Sequence, residues 1–341
     1  MNDPFDDALV RLLGDRCAPA RVREIEAGAS AEDLWRCLEE GGFADAMVAE
    51  EAGGSGLDLA AASRMMSSCG VHVLPLPLAF TMLARAWLAQ CDEPVPPGAV
   101  TFAAVPSRRQ DDRIVAQRVP FAATAAWVLA EVDDVLRLLP AAEAQAEPDA
   151  DGAALGNAGW RSWSSATLER ARVVPRFDWR SAGACVTAAM MAGAMNRVFS
   201  DTLRHANERS QFGRTLGKFQ AIQHQLSVMA EQVSAAMAAA ALGCAGARLF
   251  PGPVQTAVAK SRACEAAVIV ATSAHALHGA IGITAEFDLQ LRTRRLHEWR
   301  MAFGTESYWH GRLGAALLER RDATVLDFVR ENVSSTGTAG A

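Results

Sequence analysis

One short segment combines residues able to bind a phosphate group: Arg209, Gln211, Phe212 and Gly213. An arginine held at a helix end beside a buried phenylalanine can form charge-assisted hydrogen bonds to phosphate oxygens. Such an arrangement would suit the pyrophosphate of a dinucleotide. Judged on these residues alone, an ordinary surface Arg209 beside a core Phe212 remains the simpler interpretation.

A second group of residues lies near position 280, where Gly279 and Gly282 follow His275 and His278. Glycine has no side chain, so the backbone here would be able to approach a ligand closely. A glycine that merely ends a helix is the alternative. The two histidines lack the i, i+4 spacing and the third ligand of a metal site, which favours core or surface histidines and no metal.

Other sequence features indicate no further chemistry. The seven cysteines are odd in number, widely spread and without a C-x-x-C pair, which favours small buried side chains in a reducing cytoplasm. The GGSG run at residues 53–56 has neither the lysine of a P-loop nor a βαβ setting, so a turn is expected.

Composition excludes several classes of protein. A net charge of −6 and a pI near 5.7 argue against a nucleic-acid-binding protein, which needs a concentrated basic face. Polar residues interrupt every long apolar run, so no membrane insertion is expected, and the acidic N-terminus does not resemble a signal peptide. A soluble, cytoplasmic protein is the prediction.

The elements that must position these residues form three segments. Helical periodicity predicts an N-terminal helical domain over 1–97, with stops at Gly41 and Gly42 and a helix capped by Asp58. Short apolar runs and the longer TLERARVV predict a small β-domain over 98–175, including a loop over residues 143–159. Helical periodicity then returns in a bundle over 176–331, followed by a disordered tail over 332–341. The predicted fold is α+β and mainly α.

Within the predicted bundle, two features of the pattern stand out. Pro251 and Pro253 restart the chain into a long helix that ends at Gly279. Apolar residues recurring at three and four positions predict one buried helix stripe, made of Leu216, Phe219, Ile222, Leu226, Met229, Val233 and Met237.

Two segments resemble the acyl-CoA dehydrogenase family of flavoenzymes, which has the same helix, sheet, helix order. RHANERSQFGRTLGKFQAIQHQLSVMA is similar to the R-x-Q-F-G segment of the family and its following helix. ALHGAIGITAEFDLQLRTRR and FGTESYWHGRLGAALL resemble its H-G-G-x-G segment and final helix. Weaker similarities are found in EEGGFADAMVAEEAGGSGLD and TLERARVVP, so the resemblance spans almost the whole chain.

The resemblance implies binding of FAD and an acyl-CoA substrate, with electrons passed to an electron-transfer flavoprotein or a similar acceptor. In the family, the residues of the arginine motif reach across a dimer interface to the FAD of a neighbour. Ala276 and Ala280 depart from the glutamine and the second glycine of the family pattern. The positions implied to bind the cofactor are Arg209, Gln211, Phe212, Gly213, Gly279, Gly282 and Thr305.

The catalytic machinery of the family is not evident in this sequence. Its reaction needs a glutamate to remove the α-proton of the thioester. Two positions supply that glutamate in different members, and here they carry Phe303 and Gly183. Glu306 is a conceivable substitute, although a solvated carboxylate at a helix start is the preferred interpretation. Ala184 replaces the substrate arginine, and the segments that hold the flavin ring are unrecognisable between Gly98 and Ala130.

These departures resemble the short, degenerate subunit of heteromeric (α2β2) acyl-CoA dehydrogenases. Such a subunit completes the FAD site of a full-length partner while its own site is inactive. The partner is a full-length subunit or a second copy of the chain. The alternatives are a self-sufficient, homo-oligomeric flavoenzyme of the same fold and a non-catalytic scaffold that has lost FAD.

Overall fold

The computed structural model describes residues 4–147, 158–246, 249–320 and 324–333. Of the expected loop over residues 143–159, residues 148–157 lie outside the described residues, but Gln145–Glu147 forms a strand, so the prediction of a loop is wrong there. The first two residues of the expected disordered tail over 332–341 end a helix instead, and the remainder of that tail lies outside the described residues. Helices precede and follow a small β region, and the prediction of a mainly α, α+β fold is confirmed.

The N-terminal part is helical. Asp58 caps the fourth helix by accepting a hydrogen bond from the Ala61 backbone N–H at 2.7 Å, as predicted. The third helix ends at Glu40, immediately before Gly41. The five helices are α1 (Pro4–Arg16), α2 (Pro19–Glu26), α3 (Glu32–Glu40), α4 (Leu59–Val71) and α5 (Leu78–Gln90).

Two four-stranded sheets lie in the middle of the chain, with strand orders β1-β4-β5-β8 and β2-β3-β7-β6. Among the strands of the described residues, only β1 and β4 pair in parallel. Their bounds are β1 (Val100–Phe102), β2 (Arg108–Gln110), β3 (Arg113–Val119), β4 (Trp127–Val132), β5 (Val135–Pro140), β6 (Gln145–Glu147), β7 (Gly159–Ser164) and β8 (Arg172–Val173).

The strand predicted for TLERARVV is largely wrong. Its first residues form helix α6 (Ser165–Arg170), because the Ser164 side chain accepts a hydrogen bond from the Thr167 backbone N–H and caps a helix there. Only Arg172–Val173 pairs as a strand. Ser164 is a typical helix N-cap residue, but the apolar residues of TLERARVV favoured the prediction of a strand.

The C-terminal part is a bundle in which α7, α8 and α9 pack against each other, while α10 and α11 pack against α9. Pro253 begins α9 and Gly279 ends it, as predicted. The bounds are α7 (Trp179–Glu208), β9 (Ser210–Gln211), β10 (Arg214–Thr215), α8 (Gln220–Gly243), α9 (Pro253–His278), α10 (Leu289–Met301), α11 (Glu306–Leu318) and α12 (Val325–Val333).

Two segments, Gln220–Gly243 and Pro253–Ile283, are long and apolar enough to cross a membrane by length and composition alone. The first is α8, and the second extends α9 by one short turn. Because α8 and α9 pack against each other and against α7, their apolar faces are those of core bundle helices. The fully buried Lys260 on α9 donates to the Trp299 carbonyl at 2.8 Å and so joins α9 to the end of α10.

The predicted stripe of buried residues leading into α8 is only partly correct. Leu226, Met229 and Val233 are buried. Because α8 begins at Gln220, Leu216 and Phe219 lie before the helix; both are half-buried, as is Ile222 in its first turn. Met237 is 44% exposed, because an ideal helix drifts relative to a strict repeat and carries this residue to the outer surface.

Glycines bring the N-terminal helices into close contact with the bundle. A Cβ added to Gly70 on α4 would overlap the Met190 carbonyl on α7, and one added to Gly193 would overlap the Ser67 carbonyl on α4. The two backbones therefore cross with no side chain between them. This crossing fixes the long α7 helix, which carries candidate site residues at both ends.

Candidate functional site

The two positions that the resemblance assigns to the catalytic glutamate of the family lie against each other. Gly183 is in the first turns of α7, and Phe303 is in the turn between α10 and α11. A Cβ added to Gly183 would lie 2.5 Å from two carbons of the Phe303 ring. Both residues are buried. The phenyl ring therefore fills the space where a glutamate from either position would lie.

The turn that presents Phe303 is held in an unusual conformation. Phe303 has a φ of +57°, and Gly304 follows with a φ of +100°. The Trp309 indole donates a hydrogen bond of 3.1 Å to the Phe303 carbonyl. A non-glycine residue at positive φ costs free energy that the surrounding packing must offset. The ring's neighbours supply that packing, with centroids 5.5 Å from Phe80 and 6.2 Å from Trp179.

Phe303 belongs to a larger group, here named the aromatic cluster, which consists of Phe80, Phe102, Phe121, Phe177 and Phe303. Ring centroids lie 5.3 Å apart for Phe80 and Phe102, and 5.9 Å apart for Phe80 and Phe121. Members come from α5, from β1, from the chain between β3 and β4, from the segment just before α7 and from the turn between α10 and α11. The cluster therefore packs apolar side chains between the helices and part of the β region. Beside it, a surface cavity of about 580 Å³ is lined by Glu131 of the β region and by Trp179 and Tyr308 of the bundle.

Sequence reasoning did not identify this cluster. Its members are scattered along the chain and share no local period or motif. The only signal available was the absence of the family's flavin-ring segments between Gly98 and Ala130, where Phe102 and Phe121 are now found fully buried.

Glu306 is already engaged in an ion pair. Its carboxylate accepts two hydrogen bonds from the Arg300 guanidinium, one of them of 3.0 Å from Nε. These hydrogen bonds hold the pKa of Glu306 below its usual range. A general base that must take a proton from a weakly acidic carbon benefits from a raised pKa, so this geometry argues against Glu306 as the base.

Thr305 and Ala184 both lie near the filled space. Thr305 precedes α11 and is two residues from Phe303, and its side chain does not cap the helix. Ala184 is fully buried next to Gly183. Thr305 therefore lies in the same turn between α10 and α11 as Phe303.

The arginine motif forms a tight hairpin at the other end of α7. Arg209 is the first residue after α7, and β9 pairs with β10 in antiparallel register, Gln211 opposite Arg214. The two residues between the strands, Phe212 and Gly213, have φ values of +53° and +79°. Positive φ at both central residues is the pattern of a type I′ hairpin turn.

The expectation that Phe212 is buried is wrong, because its side chain is 90% exposed. The hairpin projects from the end of α7, and no described residue covers its tip. The Phe219 ring is the nearest aromatic neighbour, with a centroid separation of 6.4 Å. Arg214 lies over that ring, 4.0 Å from the centroid, which steadies the base of the hairpin.

Arg209 and Gln211 are exposed. Among the residues that the structure describes, the Arg209 guanidinium forms no ion pair. Its five donors therefore face solvent, beside a ring that is also uncovered.

The glycine turn after α9 is open on one side. Gly279 has φ +65° and ψ −149°, a conformation accessible to glycine alone, and nothing lies within 4 Å of the place of a Cβ. Gly282 is buried, and a Cβ there would meet Leu289 at 3.0 Å. Ala276 and Ala280, the departures from the family pattern, are exposed.

Two histidines join the hairpin to the glycine turn. The rings of His205, four residues before Arg209, and His278, immediately before Gly279, stack with centroids 4.3 Å apart and planes 23° apart. Sequence reasoning missed His205 entirely. Among the described residues, no group of three or more histidine, cysteine or acidic side chains is placed to hold a metal ion.

The hairpin and the glycine turn, joined by this stack, are here named the cofactor edge for the role proposed below. The edge comprises Arg209, Gln211, Phe212, Gly213, Gly279 and the buried Gly282. The cofactor edge is far from Gly183 and Phe303, here called the base positions because the resemblance assigns the catalytic base to them. Twenty-six residues separate Gly183 from Arg209 along α7, which at a rise of about 1.5 Å per residue is about 39 Å. The hairpin therefore cannot reach the base positions of its own chain.

The bundle sequence matches the model of a known family. Residues 181–318 match the family described as acyl-CoA dehydrogenase, C-terminal domain. The chain is also 28% identical, over 313 residues, to "Acyl-CoA dehydrogenase IpdE2" of Mycobacterium tuberculosis, a match that covers 85% of this chain and 89% of the relative.

Solved structures share the whole architecture. The crystal structure of the ChsE4-ChsE5 complex from Mycobacterium tuberculosis superposes with a TM-score of 0.79 at 21% identity, over 92% of this chain and 96% of the other. The "Tcur3481-Tcur3483 steroid ACAD G363A variant" gives a TM-score of 0.77 at 23% identity, over 94% and 98% of the two chains. The bundle thus matches the C-terminal domain of the acyl-CoA dehydrogenase family, and most of the chain is similar to a protein described as an acyl-CoA dehydrogenase.

Proposed function

We propose that this chain is the non-catalytic subunit of a heteromeric, FAD-dependent acyl-CoA dehydrogenase. Its cofactor edge would complete the FAD site of a full-length partner, and its own base positions stay closed. The observation that carries the proposal is the Phe303 ring packed on Gly183, because it removes both the glutamate and the space for it.

The aromatic cluster supports a closed site in this chain. An acyl thioester and a flavin ring need an open cavity between the helices and the β region, and here Phe80, Phe102 and Phe121 meet ring to ring. Opening such a cavity would expose several buried aromatic side chains, each worth about 1.5 to 3 kcal/mol of burial free energy. The cluster therefore stabilises the closed form.

The exposed hairpin supports a role at the site of another subunit. Leaving a phenylalanine 90% exposed at positive φ is unfavourable in an isolated chain. The cost is recovered if Phe212 becomes buried against a partner, since a central aromatic anchor beside an arginine is typical of interaction sites. A distance of about 39 Å along α7 separates this hairpin from the base positions of its own chain.

The described residues fit one edge of FAD. The Arg209 guanidinium, which forms no ion pair with any residue that the structure describes, offers several donors to a pyrophosphate. The space beside Gly279 is open to a backbone contact. They do not fit the flavin ring, since the aromatic cluster fills the corresponding space. FAD held by the partner would accept the β-hydride of the substrate. This chain would hold the pyrophosphate and exclude water from that edge.

The substrate of the complex would be an acyl-CoA thioester. One structural neighbour is described as a steroid acyl-CoA dehydrogenase and another as the ChsE4-ChsE5 complex, so a bulky, steroid-derived acyl group is the class we propose. We propose a cytoplasmic heterotetramer that passes electrons to an electron-transfer flavoprotein or a similar acceptor.

The test is the visible absorption of the purified chain, alone and co-expressed with the full-length homologue encoded nearest to it. We expect no flavin in the chain alone and about one flavin per two chains in the complex. Stoichiometric flavin in the chain alone would favour a self-sufficient flavoenzyme and overturn the proposal. No complex and no flavin in either preparation would favour a scaffold protein.

A further inference from the structure

We propose that His205 and His278 are positioning residues of the cofactor edge, and that their stacked rings hold the Arg209 hairpin against the glycine turn of α9. The binding of FAD by the cofactor edge rests on the proposed function. The contact between the hairpin and the glycine turn does not depend on FAD, so it can be tested separately.

Each histidine is tied directly to one half of the edge. The His205 carbonyl accepts a hydrogen bond of 2.9 Å from the backbone N–H of Arg209, the residue from which the hairpin departs. His278 is the last residue of α9, and its Nδ1 lies 2.8 Å from the Ala274 carbonyl. The ring stack therefore spans from the end of α7 to the end of α9.

Apolar packing alone does not explain the choice of histidine. His278 is 7% exposed, and its Nε2 has no hydrogen-bond partner among the described residues. An unpartnered buried nitrogen costs more free energy than the carbon of a phenylalanine at the same place. Phe287 packs near both rings, with centroids 5.0 Å from His278 and 6.2 Å from His205.

The charges around the stack make it sensitive to protonation. The titratable side chains that face it are Asp201, Arg204, Glu208 and Arg209 on α7 and His275 on α9. Burial lowers the pKa of both His205 and His278, so both rings are neutral near pH 7. A proton on His278 would place a charge on the buried ring of the stack, beside Arg204, which should separate the rings. His205 is only half-buried, so a charge on its ring can stay hydrated.

The experiment is hydrogen exchange of the backbone amides of residues 205–219 in the full chain, at pH 7.5 and pH 5.5, corrected for intrinsic exchange rates. The variants are His278→Phe, which keeps a ring that cannot be protonated, and His278→Ala, which removes it. His310→Phe is the control, since His310 is an exposed histidine on α11 paired with Glu265 at 3.2 Å.

At pH 7.5 we expect His278→Ala to lose about tenfold in protection of the hairpin amides, and His278→Phe and the control to match the wild type. On acidification to pH 5.5 the wild type and the control should lose protection and approach His278→Ala, whereas His278→Phe should not change. This rescue by phenylalanine separates positioning by the ring from a general packing defect.

Two results would overturn the proposal: hairpin protection in His278→Ala equal to that of the wild type, or acid sensitivity that persists in His278→Phe. Because no flavin enters the measurement, either result leaves the proposed function untouched. Conversely, if the co-expressed complex carries no flavin, the proposed function fails while the exchange result on the two histidines stands.

Discussion

The Phe303 ring lies over the Cα of Gly183, so close that two ring carbons would be 2.5 Å from a Cβ at position 183. Phe303 is fully buried and its ring is surrounded by Phe80 and Trp179, so it cannot simply move aside. The residue types at the two base positions are therefore coupled: the aromatic ring requires the glycine.

Because of this coupling, Gly183→Ala should change the free energy of unfolding in opposite directions in the wild type and in a Phe303→Ala background. In the wild type, overpacking of about 1–3 kcal/mol should outweigh the roughly 1 kcal/mol that alanine gains over glycine in a helix. In a Phe303→Ala background the clash is gone, so the same substitution should stabilise by up to about 1 kcal/mol. Urea unfolding of the four proteins measures both values. Equal effects in the two backgrounds would refute the contact.

Restoring an acid at one base position should not restore catalysis. Phe303→Glu would bury a carboxylate among aromatic side chains and lower the free energy of unfolding by at least about 3 kcal/mol. The remaining rings of the aromatic cluster would still fill the cavity. Urea unfolding and an acyl-CoA dehydrogenation assay with added FAD check this.

A conservative Phe303→Leu variant is the control for loss of the ring without a buried charge, and its destabilisation should be smaller. Measurable dehydrogenation by Phe303→Glu alone would mean that the chain opens a substrate cavity, and the closed-site argument would fail.

Much of the fold was predictable because its signals are local. The Asp58 cap, the stop at Gly41 and the restart at Pro253 each depend on a few neighbouring residues, and the structure has all three. The Phe303–Gly183 contact joins two distant segments. The family resemblance indicated that neither position carries an acid. Only the packing shows that the Phe303 ring leaves no room for a side chain at position 183.

The residue types of the candidate site could be predicted from the sequence, but whether each side chain is buried or exposed could not. The arginine motif was found, yet Phe212 was expected in the core, because a phenylalanine is usually buried. Its exposure follows from the two positive φ values at the hairpin tip, which the Phe-Gly pair signals only weakly. His205 had no motif to mark it, since it matters only through its contact with His278.

Acid should destabilise the chain through its buried histidines. Burial lowers the pKa of His72, His205, His275 and His278. Because each folded pKa lies below the unfolded value of about 6.5, the unfolded chain takes up more protons as the pH falls below that value, and stability is lost.

The melting temperature should therefore fall between pH 7.5 and pH 5.5, by about 2 to 4 °C for each kcal/mol lost. Burial raises the pKa of Asp201, but hydrogen bonds from Arg204 and Arg197 outweigh it and leave that pKa lowered. The stabilisation by Asp201 is therefore lost only at more acidic pH. A melting temperature that is constant across this range would contradict the neutral state of the buried histidines.

Phe212→Asn should affect the chain and its complex in opposite directions. Asparagine tolerates positive φ better than phenylalanine, and the 90% exposed ring contributes no burial. The free energy of unfolding of the isolated chain should therefore rise by about 0.5–1 kcal/mol. In the co-expressed complex, loss of the anchor should reduce retained flavin at least tenfold, equivalent to about 1.4 kcal/mol.

Val173→Thr, which changes another exposed apolar side chain (54%) on β8, is the matched control and should leave flavin unchanged. If Phe212→Asn retained flavin as fully as this control, the hairpin would have no part in the partner's site, and the exposure of Phe212 would need another explanation.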